Sequence, residues 1–365
     1  METLERVLNF LENLFPASFA LPDDRFGLQV KACETVQKVL VGLELTPELL
    51  NWVIAEKIDL LYLHHPPIWT PLSFFSKDDP HFVMLYKLYH HGISVIAHHT
   101  NLDSAPKGLA EQWVKILTLE GKKKPILPRS IPKFKIVTFV PSDYLEKVSQ
   151  AMFSTGAGTI GNYKGCSFHV LGTGTFIPQE NAQPFVGIVG QLAKVSEIRL
   201  EVEVEANLLN QTVEQIVSAH PYEEPAIDIY PLRESSRSSV GLGRIIKLLH
   251  PLEKQELKSR VESVFVESCI LYSSSKDVSS FYHTIALCPG SGKSLLKQVI
   301  KEKPDVFITG DLSHHEIQEL LFAGIDYLSV PHGRGEKRAM QEICLFLQEE
   351  AKKHDLKVEF FEGKP

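Results

Sequence analysis

Four short apolar runs in this chain each end directly in histidine or acidic side chains, and this pattern limits the possible folds more than any other. Asp59-Leu60-Leu61-Tyr62-Leu63 runs into His64-His65. Ile93-Ser94-Val95-Ile96-Ala97 runs into His98-His99-Thr100-Asn101-Leu102-Asp103. Asp305-Val306-Phe307-Ile308-Thr309 runs into Gly310-Asp311-Leu312-Ser313-His314-His315. Tyr327-Leu328-Ser329-Val330 runs into Pro331-His332, with Glu336 four residues on. Runs of this kind, rich in β-branched and large apolar residues and bounded by glycine or proline, predict buried strands. In open α/β sheets, ligands gather beyond the carboxyl ends of the strands. Four strands that deliver imidazoles and carboxylates to one end predict a shared metal site.

The rest of the chain supplies the frame. Leu4, Val7, Leu8, Leu11 and Leu14 share a helical face, residues 39–43 read as a strand, and Thr46-Pro47-Glu48 starts a helix with a cap and an N1 proline. A helical stretch at 82–89 separates the first two histidine-terminated strands. This βαβ rhythm predicts a largely parallel sheet. Pro125, Pro128 and Pro132 then break the pattern. Residues 133–232 read as a strand at 135–140, a helix at 143–153, strands at 166–176 and 197–204, a helix at 208–218 and a strand at 226–230. Ile198, Leu200, Val202 and Val204 alternate strictly with Arg199, Glu201 and Glu203. The order β-α-β-β-α-β is that of a ferredoxin-like module. Gly156, Gly158 and Gly161 predict tight turns in its middle. The polar run Glu234-Ser235-Ser236-Arg237-Ser238-Ser239 reads as a linker. After it come helices at 252–264 and 294–301 flanking a strand at 284–287, the last two ligand-bearing strands, and a closing helix striped by Ala339, Met340, Ile343, Cys344 and Leu347. The predicted fold class is α/β. A split domain of residues 1–128 plus 234–365, with a mostly parallel sheet, is interrupted by a ferredoxin-like α+β domain at 129–233.

Composition narrows the function. The net charge of −7 argues against a nucleic-acid protein that works by neutralising phosphates. Lys122-Lys123-Lys124 reads as a solvated loop. No apolar stretch approaches the roughly 20 residues that span a bilayer. The opening Met1-Glu2-Thr3-Leu4-Glu5-Arg6 is acidic and amphipathic, unlike a signal peptide. The five cysteines (Cys33, Cys166, Cys269, Cys288, Cys344) are scattered, which suggests reduced thiols in a cytoplasmic protein.

Imidazole with carboxylate suits Zn, Fe, Ni or Mn, and the scattered thiols argue against a closed structural zinc site. Neighbouring residues leaving a strand point in opposite directions. His64 and His65 therefore suit two adjacent ions, one each. His332 and Glu336 can share a helix face, and Gly333 and Gly335 between them permit close backbone approach. A carboxylate such as Glu336 can bridge two cations, and metals about 3.5–4 Å apart commonly activate a water for hydrolysis. His98, His314 and His315 are candidate ligands or outer-shell donors.

Two further motifs stand apart. Cys288-Pro289-Gly290-Ser291-Gly292-Lys293-Ser294 resembles a phosphate-binding loop, but Leu287 stands where its first glycine belongs, so a Gly-rich strand-to-helix turn is the preferred reading. Lys293 at a helix start leaves anion binding open. His220-Pro221-Tyr222-Glu223-Glu224-Pro225 reads as a rigid loop with groups that could ligate or carry protons.

At these residues the chain resembles a known family, the NIF-three-like dinuclear metal-centre proteins, also labelled GTP cyclohydrolase 1 type 2 homologues. The matching stretches include Gly27-Leu28-Gln29-Val30, His64-His65-Pro66-Pro67-Ile68-Trp69, His99-Thr100-Asn101-Leu102-Asp103, Gly161-Asn162-Tyr163-Lys164-Gly165-Cys166, Gly172-Thr173-Gly174-Thr175-Phe176, the His220 to Pro225 loop, Gly241-Leu242-Gly243-Arg244, Gly310-Asp311, and His332 with Glu336. The resemblance implies two divalent ions held by His64, His65, Asp103, His332 and Glu336, with Glu336 bridging. It also implies a toroidal homohexamer and an insert similar to PII and CutA proteins. Glu44 stands where the family usually has aspartate, His98 doubles a histidine, and Pro331 and Gly333-Arg334-Gly335 depart from the usual last loop. The resulting expectation is a metal-dependent hydrolase of a small, nucleotide-like or phosphate-bearing substrate. His64 and Asp103 hold one ion, His65 and His332 the other, and His99 or His314 shuttles the proton. The alternative is a non-catalytic metal-binding regulator or scaffold that acts through its insert.

Overall fold

All four ligand-bearing runs are strands. Leu60–Leu63, Ser94–Ala97 and Val306–Gly310 are buried throughout, and Asp326–Ser329 is buried except at its last residue. Burial on both faces is why they read as continuous apolar runs and not as alternating ones. The computed structural model describes residues 1–363 except 73, 75, 131, 162, 234–238, 266–268 and 275–279. The predicted linker at 234–239 thus lies, apart from its last residue, outside the described residues. The chain divides into two compact units, Met1–Arg129 with Arg237–Pro365, and Ser130–Ser236.

The first unit holds two main sheets, where one mostly parallel sheet was expected. In the five-stranded sheet the order is Glu359–Glu362, Lys38–Gly42, Leu60–Leu63, Ser94–Ala97 and Gly27–Val30, with only the last strand antiparallel. In the six-stranded sheet the order is Ile270–Tyr272, Asp326–Ser329, Val306–Gly310, Phe281–Ser291, Arg244–Glu253 and Gly121–Lys124. Only its middle three strands run parallel. Apolar runs identify strands but not their partners, so the division into two mixed sheets is invisible to periodicity. The run at Lys122–Lys124 is also an edge strand and not a loop, pairing with Ile245, Ile246 and Lys247. Lysines on an exposed edge discourage pairing with another chain.

The closing helix His332–Lys353 packs against Lys38–Gly42 and Glu359–Glu362 of one sheet and against Phe281–Ser291 of the other. It therefore carries His332 and Glu336 to where both sheets end. Its first turn is set by Trp113, fully buried, whose Nε1–H donates to the Gly335 carbonyl at 2.9 Å. The buried guanidinium of Arg244 donates to the carbonyls of Gly241 and Gly243 at 2.7 Å and of Ala105 at 2.8 Å. It thereby ties the second half of the chain to the end of the short helix Thr100–Ser104, which bears Asp103.

The second unit has the elements Lys133–Val140, Leu145–Ser154, Ser167–Phe176, Ala193–Glu205, Leu209–Ala219 and Ile227–Leu232, in the order β-α-β-β-α-β. Its sheet order is Ser167–Phe176, Ala193–Glu205, Lys133–Val140, Ile227–Leu232, and every neighbouring pair is antiparallel. Ile136, Val140, Leu200 and Val202 pack against Val148, Met152 and Ile216 of the two helices.

A methyl group on Gly335 would stand 2.4 Å from Trp113 Cζ2, whereas on Gly333 it would meet nothing nearer than Leu43 at 3.9 Å. Gly335→Ala is expected to lower stability by about 1–3 kcal/mol through overpacking, and Gly333→Ala to leave it unchanged or slightly raised. Urea denaturation of both variants checks this; equal stabilities would contradict the packing described.

Candidate metal centre

Past the end of the strand Leu60–Leu63 the chain bends but keeps bonding to its neighbour. The His64 N–H donates to Gly42 O at 3.2 Å and the His65 N–H to Leu43 O at 2.8 Å. The two rings leave in different directions yet stand 5.0 Å apart, on either side of one carboxylate, Glu336. Glu336 Oε1 lies 3.8 Å from His64 Nε2. Glu336 Oε2 lies 3.2 Å from His65 Nε2 and 3.1 Å from His332 Nε2. Asp103 Oδ1 lies 3.7 Å from His64 Nε2. The structure thus brings together all five residues expected as ligands, in two sets that share Glu336. The ligating atoms of His64, His65 and His99 also lie within 4.8 Å of one another, as do those of His65, His332 and Glu336.

These spacings fit a metal. Donors on a tetrahedral shell of radius about 2.1 Å stand about 3.4 Å apart, and the four contacts, from 3.1 to 3.8 Å, bracket that value. Among the described residues, His64 Nε2 and Glu336 Oε2 are buried without a hydrogen-bond partner. Buried polar atoms of this kind are costly unless something binds them.

Three of the imidazoles are held by their other nitrogen. His64 Nδ1 contacts the His98 carbonyl at 3.0 Å, His99 Nδ1 contacts Asp24 at 2.6 Å and His332 Nδ1 contacts Asp311 at 2.6 Å. His65 Nδ1 lies 3.5 Å from Glu44. With Nδ1 of His64, His99 and His332 engaged, Nε2 is the atom each would offer to a cation, the usual second shell of metal-binding histidines. Asp311 adopts a left-handed φ of 57° to do this. Asp24 is the residue that motif reading missed. Its carboxylate is buried and also accepts from the Thr100 N–H at 2.9 Å and from the Thr100 hydroxyl. It lies 75 positions before His99, in a polar turn with no periodic signal.

The remaining predicted residues are placed differently. His314 and His315 lie exposed in the first turn of the helix His314–Phe322 and belong to neither cluster. His98 is fully buried, with its ring edge-on to Tyr62 and Phe15 at 5.5 and 5.9 Å. Burial pushes that imidazole down to about 3 and keeps it neutral. The glycine-rich turn forms no phosphate cradle. The strand Phe281–Ser291 runs through Gly290, and Lys293 is paired with Glu316 at 2.9 Å. Gly290 has another use: at φ 71°, a Cβ there would lie 2.2 Å from Glu336 Oε1 and 3.2 Å from His332 Nε2. Only a glycine lets this strand close against the shared carboxylate.

The electrostatics follow from the geometry. Burial alone would lower the His64 imidazole, but Asp103 and Glu336 outweigh it and hold it up at about 9. Its contacts with Glu336 and Asp311 hold His332 up at about 9 as well. Burial would raise Glu336, but the imidazoles of His332, His64 and His65 beside it keep it well below the usual carboxylate range. Burial raises Asp103. Burial would likewise raise Asp24, which His99 and Thr100 nevertheless hold at about 2. In the metal-free protein, protons on imidazole balance the carboxylates. A divalent cation must displace those protons.

A model of the Duf34/NIF3 (NGG1p interacting factor 3) family matches residues 2–365. The chain belongs to that family. Its NIF3-family relatives include the GTP cyclohydrolase 1 type 2 homolog of Bacillus subtilis, 31% identical over 350 residues that cover 93% of this chain and 92% of the relative. The homolog of that name from Listeria monocytogenes is 32% identical over 352 residues, covering 96% and 93%. Among solved structures, the Bacillus cereus protein related to NIF3 superimposes with a TM-score of 0.86 at 29% identity, covering 100% of this chain and 97% of that one. No described helix is long and apolar enough to cross a membrane.

The two raised histidines of this NIF3-family chain set a pH dependence. A raised folded-state pKa contributes stability that is fully present below the unfolded value of about 6.5. That contribution is lost as pH rises through about 9. In chelator, the melting temperature is therefore expected to fall between pH 6.5 and 9, and saturating Zn²⁺ is expected to remove or reverse the trend. Thermal melts across that range check this; an unchanged slope in a His64→Ala, His332→Ala double variant would contradict it.

Proposed function

We propose that this chain is a metal-dependent hydrolase of a small molecule, built on a centre for two divalent cations. The observation that supports it best is Glu336, whose two oxygens face separate sets of inward-aimed imidazoles. His64 and Asp103 would hold one cation, His65 and His332 the other, and Glu336 both. The donor set suits Zn, Fe, Mn or Ni. When bound, the cations would supply Lewis acidity, acidifying water and polarising a carbonyl or phosphoryl group of the substrate.

The chain's own groups would do the rest. Asp24 fixes His99 through Nδ1, so Nε2 is free to take a proton from water and return it to the leaving group. Trp69, 54% exposed, meets the His99 ring edge-to-face at 5.4 Å, so His99 lies between the inner ligands and the surface. The name carried by the Bacillus and Listeria relatives supports a nucleotide-like substrate.

The proposal extends to assembly. The second unit's element order and sheet order support a ferredoxin-like, PII- or CutA-like insert at about residues 129–233. Its exposed Phe168, Leu171 and Ile188 support association of copies, for which the proposed form is a homohexamer. A cytoplasmic location fits the five free thiols. A second reading, a non-catalytic regulator that acts through this insert, is favoured by a separate cavity of about 840 Å³ there.

Chelator-free protein is expected to carry close to two divalent metals per chain by elemental analysis, falling below one in a His65→Ala, Glu336→Ala double variant. Metal-loaded protein is expected to hydrolyse at least one member of a panel of nucleotides, phosphoesters and cyclic amides. Fewer than one metal per chain, unaltered in the double variant, would sink the centre. Full metal loading without any turnover would leave the regulator reading standing.

A further inference from the structure

We infer that the unit Ser130–Ser236 binds a small organic cation in a cavity of its own, separate from the metal centre. The cavity of about 840 Å³ is lined entirely by residues between 139 and 226. That volume lies within the usual range for small-ligand sites. It opens on the sheet face opposite the helices. Ile136, Val140, Leu200 and Val202 point into the helix-packed core, whereas Phe139, Glu197 and Arg199, of opposite parity, line the cavity.

Its chemistry is aromatic and acidic. The rings of Phe176 and Phe185 stand 6.3 and 6.0 Å from that of Tyr222. Glu197, Glu223 and Glu224 line the same space against a single cation, Arg199. Arg199 is already engaged, its Nε donating to Glu201 at 2.8 Å and its guanidinium lying 5.7 Å from the Phe139 ring centre.

Glu197 carries the inference. It is only 7% exposed, and among the described residues no cationic side chain forms an ion pair with it. The Tyr222 hydroxyl donates to its Oε1 at 2.7 Å. Gly174 makes room for the other oxygen, because a Cβ there would stand 1.9 Å from Oε2. A buried carboxylate with one neutral donor is costly. A cation arriving among aromatic faces offsets that cost through charge and cation–π attraction.

Hydrogen bonds tie the walls together. The Tyr222 N–H donates to His220 Nδ1 at 3.1 Å, and His220 Nε2 contacts the Phe139 carbonyl at 3.0 Å. Glu223 accepts from the Gln183 N–H at 2.9 Å, which ties the lining residues Ala182 and Pro184 to this loop. The His-Pro-Tyr-Glu-Glu-Pro loop is thus the frame of this cavity. The fitting ligand is an amine or quaternary ammonium on an apolar body; anions are excluded.

Calorimetric titration of the full-length protein with benzyltrimethylammonium and phenethylamine, against phenethyl alcohol and phenylacetate, tests this. Both cations are expected to bind, the alcohol about tenfold or more weakly, and phenylacetate not at all. Glu197→Gln, which keeps shape and removes charge, is expected to weaken cation binding about tenfold without changing metal content. Glu223→Gln serves if that variant melts early. Equal binding of the alcohol, unaltered cation binding in both variants, or no binding of either cation would overturn the inference. Cation binding that disappears as chains associate would assign the cavity to a second copy and also overturn it.

Discussion

The structure of the first unit turns on one buried carboxylate. Glu336 is 4% exposed and is approached by three imidazoles, one at Oε1 and two at Oε2. An unpaired carboxylate in such a place would be prohibitively costly. The chain must therefore surround it with positive charge, whether from protonated histidine or from bound cations. That requirement links four strand ends, the first turn of the closing helix and the glycine that abuts it.

The linkage explains why the chain is split as it is. His64, His65, His99 and Asp103 come from the first half of the sequence, and His332 and Glu336 from the second. Neither half holds Glu336 in balance alone. Arg244 and Trp113 are the fasteners, each crossing between halves with buried hydrogen bonds. The outer contacts at Nδ1 add direction, since an imidazole fixed at one nitrogen can present the other in only one way. The second unit, Ser130–Ser236, has its own core and its own cavity.

Much of this was legible in the sequence, for physical reasons. Strands buried on both faces are continuous apolar runs, so Leu60–Leu63 and Val306–Gly310 announce themselves, and His64 and His65 follow the first directly. The alternation of Leu200, Val202 and Val204 marked a strand with one face on the core. What was not legible depends on distance or on direction. Asp24 reaches His99 only through the fold. The antiparallel strands that make two sheets carry no mark of orientation, and Gly121–Lys124 is polar because it is an edge. Gly290 lies in a run that resembles a phosphate loop. Both settings need a glycine where backbone meets an oxyanion; here the oxyanion is the protein's own Glu336.

The central claim is that Glu336 stands between two cations. Anomalous diffraction from crystals of metal-loaded protein measures this most directly. Two peaks about 3.5–4 Å apart are expected, one bonded to His64, Asp103 and one oxygen of Glu336, the other to His65, His332 and the second oxygen. A single peak, or two peaks to which Glu336 is not bonded, would contradict it.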